Sequence, residues 1–426
     1  MDSRRSRLNV VILLFAVLAG GCGGRASAPD GVAAARAFYR AQPSYLSPIV
    51  LGDAVPAGLP DVRASTCGGC HQEIYAEWRI STHARAWMDD AQFQAELHKP
   101  WEDGGDVQWM CVNCHTPMES QLPRLVTSLR GGRLDRPVYV DNPGFDPVLQ
   151  AEAITCATCH VRDGVVLGPF GDTTAPHPTA RSEHLLTTEV CTRCHQAEAE
   201  FPELVLACSF ATGREYAASP QAGEGTTCQG CHMPPVERSL VAGGPVRATR
   251  RHWFGGSLIP KKPEFAAELE PLQAVYPDGL ALAWEVVPTA TEAGATAAVT
   301  LSFRNANAGH RLPTGDPERF LLVDLEARGP DGALLASATE RIGTVYEWYP
   351  EIRKVSDNRL LPGEERRVSL TWTAPATGPV TVTGRASKWR LSQESLEYHG
   401  LSGTYPPGRE FWSEVLAIPV GTVPTP

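Results

Sequence analysis

Hydrophobic and polar positions divide the chain into four stretches of different character. Val10 to Ala19 is an unbroken apolar run behind Arg4, Arg5 and Arg7. It is too short to cross a bilayer as a helix, so residues 1–21 read as an export signal. Residues 22–60, rich in Ala, Pro and Gly, read as a partly helical tether. Between 61 and 270 apolar residues come in short patches, and only Gln72 to Thr82, with Ile74, Tyr75 and Trp78, shows a helical period. From 271 to 426 the period changes to two. Val368, Leu370 and Trp372 alternate with Arg367, Ser369 and Thr371, and Val380 and Val382 with Thr381 and Thr383. Further strands are expected at Leu280–Val287, Thr296–Arg304 and Arg319–Arg328. Turns are expected at Gly329-Pro-Asp-Gly332 and Leu361-Pro-Gly-Glu364. Short strands at this spacing predict a β-sandwich, of immunoglobulin-like type.

Composition narrows the class. The 426 residues carry a net charge of −10, which argues against nucleic-acid binding, and a hydrophobic content of 42%, which fits a globular chain. Twelve Cys and twelve His are present, and most of them sit together. Cys67-Gly-Gly-Cys70-His71, Cys111-Val-Asn-Cys114-His115, Cys156-Ala-Thr-Cys159-His160, Cys191-Thr-Arg-Cys194-His195 and Cys228-Gln-Gly-Cys231-His232 all read C-x-x-C-H. At this composition chance yields roughly 0.01 such motifs, and zinc or redox C-x-x-C pairs would not repeat the His five times. The motif is the attachment site of c-type haem. Its two thiols, one helical turn apart, form thioethers to the vinyl groups, and the adjacent His ligates the iron. The expected cofactors are therefore five covalently attached haem c groups. Each interval between motifs is too short for a core of its own, so the haems form the core of residues 61–270, with short helices and irregular chain around them. The fold class is mixed: this multihaem cytochrome c domain followed by the sandwich.

Seven histidines lie outside the motifs and are available as second axial ligands: His83, His98, His177, His184, His252, His310 and His399. Along a continuous helix His83 would lie about 18 Å from His71, so it reaches a neighbouring haem rather than its own. His177 sits in the rigid Ala175-Pro-His-Pro178, and His252 precedes Trp253-Phe254-Gly255-Gly256, where aromatic rings can pack on a porphyrin. His310, in Gly309-His310-Arg311-Leu312-Pro313-Thr314-Gly315, belongs to the β domain. It would make a coordinate bond between the two domains. The fifth ligand is His399 or His98; His184 reads as solvated. Of the 38 basic residues 33 are Arg, suited to pairing with haem propionates.

Residues Cys67-Gly-Gly-Cys70-His71-Gln-Glu-Ile-Tyr75-Ala-Glu-Trp78-Arg-Ile-Ser81-Thr-His83-Ala84 resemble the first haem module of the multihaem cytochrome family whose best-known member is the tetrahaem partner of hydroxylamine oxidoreductase. Cys228 to Pro234 and Gly309 to Gly315 are similar to segments of exported multihaem cytochromes. The resemblance implies that Cys67 and Cys70 are thioether anchors, His71 a proximal ligand and His83 a distal one. This chain departs from the type member in its fifth motif and its appended β domain, so partner and pathway do not transfer.

Leu18-Ala-Gly-Gly-Cys22 resembles a bacterial lipobox, with Ala19 where Leu is commonest; the alternative is a signal cleaved near Ala19. The first reading anchors Cys22 by lipid to the periplasmic or cell-surface face of a bacterial membrane, the outer membrane being expected. The function expected is electron transfer between redox partner proteins in a respiratory chain. The alternative is a reductase of a small nitrogen or sulfur oxyanion at one open haem. No C-x-x-C-K motif of the pentahaem nitrite reductases is present, and no catalytic residue is assigned.

Overall fold

The computed structural model describes residues 28–99, 104–171, 174–201, 206–348 and 350–421; the segment expected to be an export signal and Cys22 lie outside them. Helix α1 (Ala28–Arg40) opens the first unit. Its stripe of Val32, Ala35, Phe38 and Tyr39 packs on Trp109, Met110, Leu122, Leu125 and Val126. The Arg36 guanidinium grips the Glu119 carboxylate at 2.6 and 2.8 Å. The tether expected over residues 22–60 is therefore, from Ala28 on, a packed part of this unit. Its Ala/Pro/Gly composition conceals a stripe only two turns long.

Helices here are short, including α2 (Gln72–Arg79) and α3 (Ala91–Leu97). The helix expected over Gln72–Thr82 stops earlier, at Arg79. Each motif lies in or runs on from a short helix, at Ala64–Gly68, Gln108–His115, Cys156–His160, Glu189–Thr192 and Cys228–His232. In the first, the His71 amide donates to the Cys67 carbonyl at 2.9 Å, and in the fourth His195 donates to Cys191 at 3.0 Å. One turn thus brings both thiols and the imidazole to the same side. Small hairpins that the periodicity did not predict join these turns, notably Arg124–Leu129 with Pro137–Asp141, and Pro235–Ser239 with Val246–Arg250.

The second unit is two antiparallel sheets packed face to face. Its strands are β1 (Leu280–Val286), β2 (Thr296–Asn305), β3 (Phe320–Arg328), β4 (Leu334–Glu347), β5 (Arg353–Asp357), β6 (Glu365–Thr373), β7 (Val380–Trp389) and β8 (Gly408–Ile418). One sheet has the order β1-β2-β6 and the other β5-β4-β3-β7-β8. Val299, Leu301, Phe303, Leu370 and Trp372 of the first sheet meet Val323, Leu325, Ile342, Val380, Val382 and Ile418 of the second. Alternation in β2, β6 and β7 is what aims these side chains inward. Between β7 and β8 the chain leaves the sandwich and forms α4 (Gln393–Tyr398). There Leu391, Leu396, Leu401 and Tyr405 cluster against Ala91 of the first unit. Among the described residues no helix is long and apolar enough to cross a membrane.

Candidate metal centre

The motif turns surround a continuous cavity of about 2680 Å³, lined by His71, His115, His160 and His195 and by the eight thiols of their motifs. The fifth motif borders it through Gln229, and Met233, the residue after that motif, lines it too. Pockets for cofactor-sized molecules run about 300–1,000 Å³ each, so the volume suits several large planar groups rather than one. All ten motif thiols are free of disulfides. Thiols of different motifs lie close to one another in three pairs: Cys67 with Cys156, Cys114 with Cys194, and Cys191 with Cys228. The turns are therefore neighbours in the sequence 1–3, 2–4 and 4–5.

Three motif imidazoles each face an imidazole from elsewhere in the chain. The ring centres of His83 and His195 are 6.3 Å apart, those of His160 and His252 6.3 Å, and those of His232 and His310 6.3 Å. A metal–nitrogen bond of about 2 Å, with roughly 1.1 Å more from nitrogen to ring centre on each side, places two imidazoles sharing one metal about 6.2 Å apart. The recurrence of one separation in three unrelated settings fits axial ligation, whereas other ring pairs of the chain scatter from 3.5 to 6.2 Å.

The other ring nitrogen is held as a ligand requires. Nδ1 of His71 is bonded to the Leu240 carbonyl (2.9 Å), of His115 to Ala86 (2.7 Å), of His160 to Leu167 (2.8 Å), of His252 to Arg250 (2.9 Å) and of His310 to Arg311 (2.9 Å). His232 is bonded in the same way to Gly255. A carbonyl accepts only, so Nδ1 carries the proton and Nε2 keeps its lone pair for a metal. Burial, aided by neighbouring imidazoles, pushes His83 down to about 3 and His195 and His252 down to about 4. Burial also lowers His115, His160 and His310. All six are neutral at pH 7, the form that ligates.

The remaining candidates are placed differently. The His399 Nε2, the nitrogen a haem ligand would offer, lies 2.8 Å from the Glu96 carboxylate, and this bond raises the His399 pKa. Among the described residues His399 faces no motif imidazole. His177 sits on an exposed loop with its Nδ1 3.4 Å from the Pro178 carbonyl, although it lines the same cavity as His71. His98 caps α3 and is exposed, and His184 is exposed beside Glu189. His71 and His115 have no facing imidazole among the described residues. Instead, Phe93 of α3 stacks on His115 at 3.5 Å.

His310 is presented by the sandwich. The Asn305 amide donates to the His310 carbonyl at 2.9 Å and shapes the loop. Its flank is fastened to the first unit by Thr314, which donates to Glu215 at 2.6 Å, and by Arg359, which reaches the same carboxylate at 2.7 Å. A second seam joins Arg390 to the carbonyls of Pro260 and Ile259, and Tyr405 to Asp90 at 3.4 Å. The domains are thus rigidly apposed where the imidazole crosses between them.

Sequence reasoning missed the carbonyl partners, because they are set by the fold, and also missed Glu77. This buried carboxylate on α2 binds Arg238, Arg251 and the His252 amide. Its only sequence signal is the adjacency of Arg250, Arg251 and His252, an excess of positive charge beside a buried histidine.

Residues 66–130 match the family described as cytochrome c554 and c-prime. No curated protein matches the chain. Among solved structures, a penta-heme cytochrome c552 from Thermochromatium tepidum superposes with a TM-score of 0.58 at 18% identity, over 85% of this chain and 100% of that one. The CARDB domain of a Pyrococcus furiosus protein matches 33% of this chain and 87% of its own at 14% identity, with a TM-score of 0.18. Together, the family match over the first two motifs and the shared fold support a multihaem c-type cytochrome.

Proposed function

We propose that the chain is an exported electron carrier of a respiratory chain, holding five haem c groups, one per motif. The observation that carries this reading is the threefold recurrence of facing imidazoles 6.3 Å apart. Haem c, when bound, supplies a one-electron iron couple, and six-coordinate bis-imidazole iron has no open position for a substrate. The thiols Cys67, Cys70, Cys111, Cys114, Cys156, Cys159, Cys191, Cys194, Cys228 and Cys231 would anchor the groups. His71, His115, His160, His195 and His232 would be the proximal ligands. His83, His252 and His310 would be distal ligands to the fourth, third and fifth motifs. The adjoining thiol pairs support a succession of sites in which the fourth turn lies between the second and the fifth, and the first lies beside the third.

The sandwich is best read as immunoglobulin-like. A three-stranded sheet of the first, second and sixth strands facing one that centres on the third and seventh supports this reading. Its role is to supply His310 and to leave its outer faces for redox partner proteins. Lipidation at Cys22 would hold the protein on a membrane face. Cys22→Ser should release it into the soluble fraction, and unchanged fractionation would contradict the anchor.

Spectroelectrochemical titration of the intact protein tests the function. Five reversible one-electron couples per chain are expected, with no reoxidation of the reduced protein by nitrite or sulfite. Fewer than five couples would overturn the stoichiometry, and rapid reoxidation by an oxyanion would replace the carrier reading with a reductase.

A further inference from the structure

Residues Arg250 to Gly255 touch the ligand sets of three different motifs. The Arg250 carbonyl accepts from His252 Nδ1 at 2.9 Å, and His252 itself faces His160. The Phe254 ring lies 4.4 Å from His83, the imidazole opposite His195, and 5.7 Å from His252. The Gly255 carbonyl accepts from His232 Nδ1, and His232 faces His310. One short segment therefore sets the orientation of imidazoles belonging to the third, fourth and fifth motifs.

Past Arg250, which ends a hairpin strand, the segment is not held by regular structure. Phe254 has a φ of 50°, in the left-handed region that bulky residues avoid. Gly255 is confined by Tyr276, whose ring would lie 2.4 Å from any Cβ added there. What fixes the segment at its start is Glu77. One carboxylate oxygen accepts from Arg238 at 2.7 Å and Arg251 at 2.6 Å, and the other accepts from the His252 amide at 2.9 Å. Arg238, nearly fully buried, also donates to the Arg250 carbonyl at 2.8 Å, the same oxygen that orients the His252 ring. A buried carboxylate with this many donors is a rigid clamp, because every lone pair it turns away from leaves a buried donor unsatisfied.

We infer that Glu77 is a positioning residue for the axial ligands of three haems, acting through the Arg250–Gly255 segment. The inference rests on the carrier reading, since it takes the facing imidazoles as iron ligands. Glu77 acts in two separable ways. Its geometry fixes the plane of His252 and, through the segment, the contact of Phe254 on His83. Its charge offsets Arg238 and Arg251, so its removal leaves two guanidinium groups beside the third site, opposed by the more distant Glu73 carboxylate 3.8 Å from Arg238. The added net positive charge favours the reduced iron and raises its potential.

The test is low-temperature electron paramagnetic resonance, together with potentiometric titration of the fully haem-loaded protein, on Glu77→Gln and Glu77→Asp. Gln keeps the length and loses the charge; Asp keeps the charge and is one methylene short. In Glu77→Gln one couple should move upward by about tenfold in its reduced-to-oxidised ratio, which is 59 mV for one electron. The low-spin signals of at least two haems should shift in g-value. In Glu77→Asp the potential should return toward wild type while the g-shifts persist. If Glu77→Gln fails to mature, Arg251→Gln removes one donor and keeps the His252 bond; it should lower the same couple without altering the other sites. Wild-type protein without bis-imidazole signals would sink the carrier reading itself. Wild-type signals that stay unmoved, in g-value and potential, in Glu77→Gln or its substitute would overturn this inference alone.

Discussion

Asp90→Ala separates a buried ion pair from the structure around it. Asp90 accepts from the Phe93 amide as the N-cap of α3, pairs with Lys261, and accepts from Tyr405 of the segment between β7 and β8. Both members of the pair are below one-tenth exposed, at 6% for Asp90 and 9% for Lys261. Burial opposes the Asp90 charge, but Lys261 and Arg390 overcome it and hold the carboxyl below its usual range. Burial lowers Lys261 to about 8 even with Asp90 drawing it up. Without Asp90 the ammonium has no carboxylate partner and loses its proton at pH 7. Keeping neutral a lysine whose ordinary value is 10.5 costs about 1.36 kcal/mol per pH unit, or about 5 kcal/mol at pH 7. That figure is a ceiling, and it meets the range of about 3–5 kcal/mol for breaking a buried pair. For a unit of this size the loss should lower Tm by about 6–20 °C, measured by circular dichroism in the haem bands. Asp90→Ala with Lys261→Met, which removes the stranded charge, should recover at least half of it. A single variant within about 1 kcal/mol of wild type, or a double variant no more stable than the single, would refute the reasoning.

Other outcomes follow from the same geometry. Gly255→Ala drives a methyl into the Tyr276 ring and should cost about 1–3 kcal/mol while perturbing the signal of the His232 site; a neutral thermal melt would contradict the packing. Glu318, at the domain seam, is raised from 4.5 to about 7 by burial and by Asp316. Between pH 4.5 and 7 the folded chain therefore keeps a proton that the unfolded chain has released, and stability should fall as pH rises through that window. Glu318→Gln should flatten this dependence in melts from pH 5 to 8, and parallel curves for the two proteins would show that Glu318 does not titrate there. His310→Ala should loosen the sandwich toward limited proteolysis near residue 275, and an unchanged digestion pattern would mean that hydrogen bonds alone hold the seam.

How much of this was legible in the sequence depends on the range of each interaction. The proposed thioether anchors and proximal histidines are written in five consecutive residues, because one helical turn must carry all three groups. The strands with strict alternation, such as β2, β6 and β7, could be read because one face of each is buried. β4 and β8 could not: they are long, and both of their faces mix polar and apolar residues. His83, His252 and His310 stood out by their neighbours, yet only the fold shows which motif each one faces. His399 sat in an equally suggestive glycine context, and there Glu96, brought by α3, takes the nitrogen a metal would need. The buried stripe of α1 was hidden because its Val32, Ala35, Phe38 and Tyr39 span only two turns inside a segment rich in Ala, Pro and Gly.

The central claim is that His83–His195, His160–His252 and His232–His310 are three axial ligand pairs. Low-temperature electron paramagnetic resonance of the fully oxidised protein tests it most directly, with wild type compared against His83→Ala, His252→Ala and His310→Ala. The account predicts at least three bis-imidazole low-spin signals in wild type, and in each variant the loss of a different one with the appearance of one high-spin haem. If any of the three variants keeps the full set of wild-type low-spin signals, the 6.3 Å separation at that pair is not the mark of a shared iron, and the claim fails.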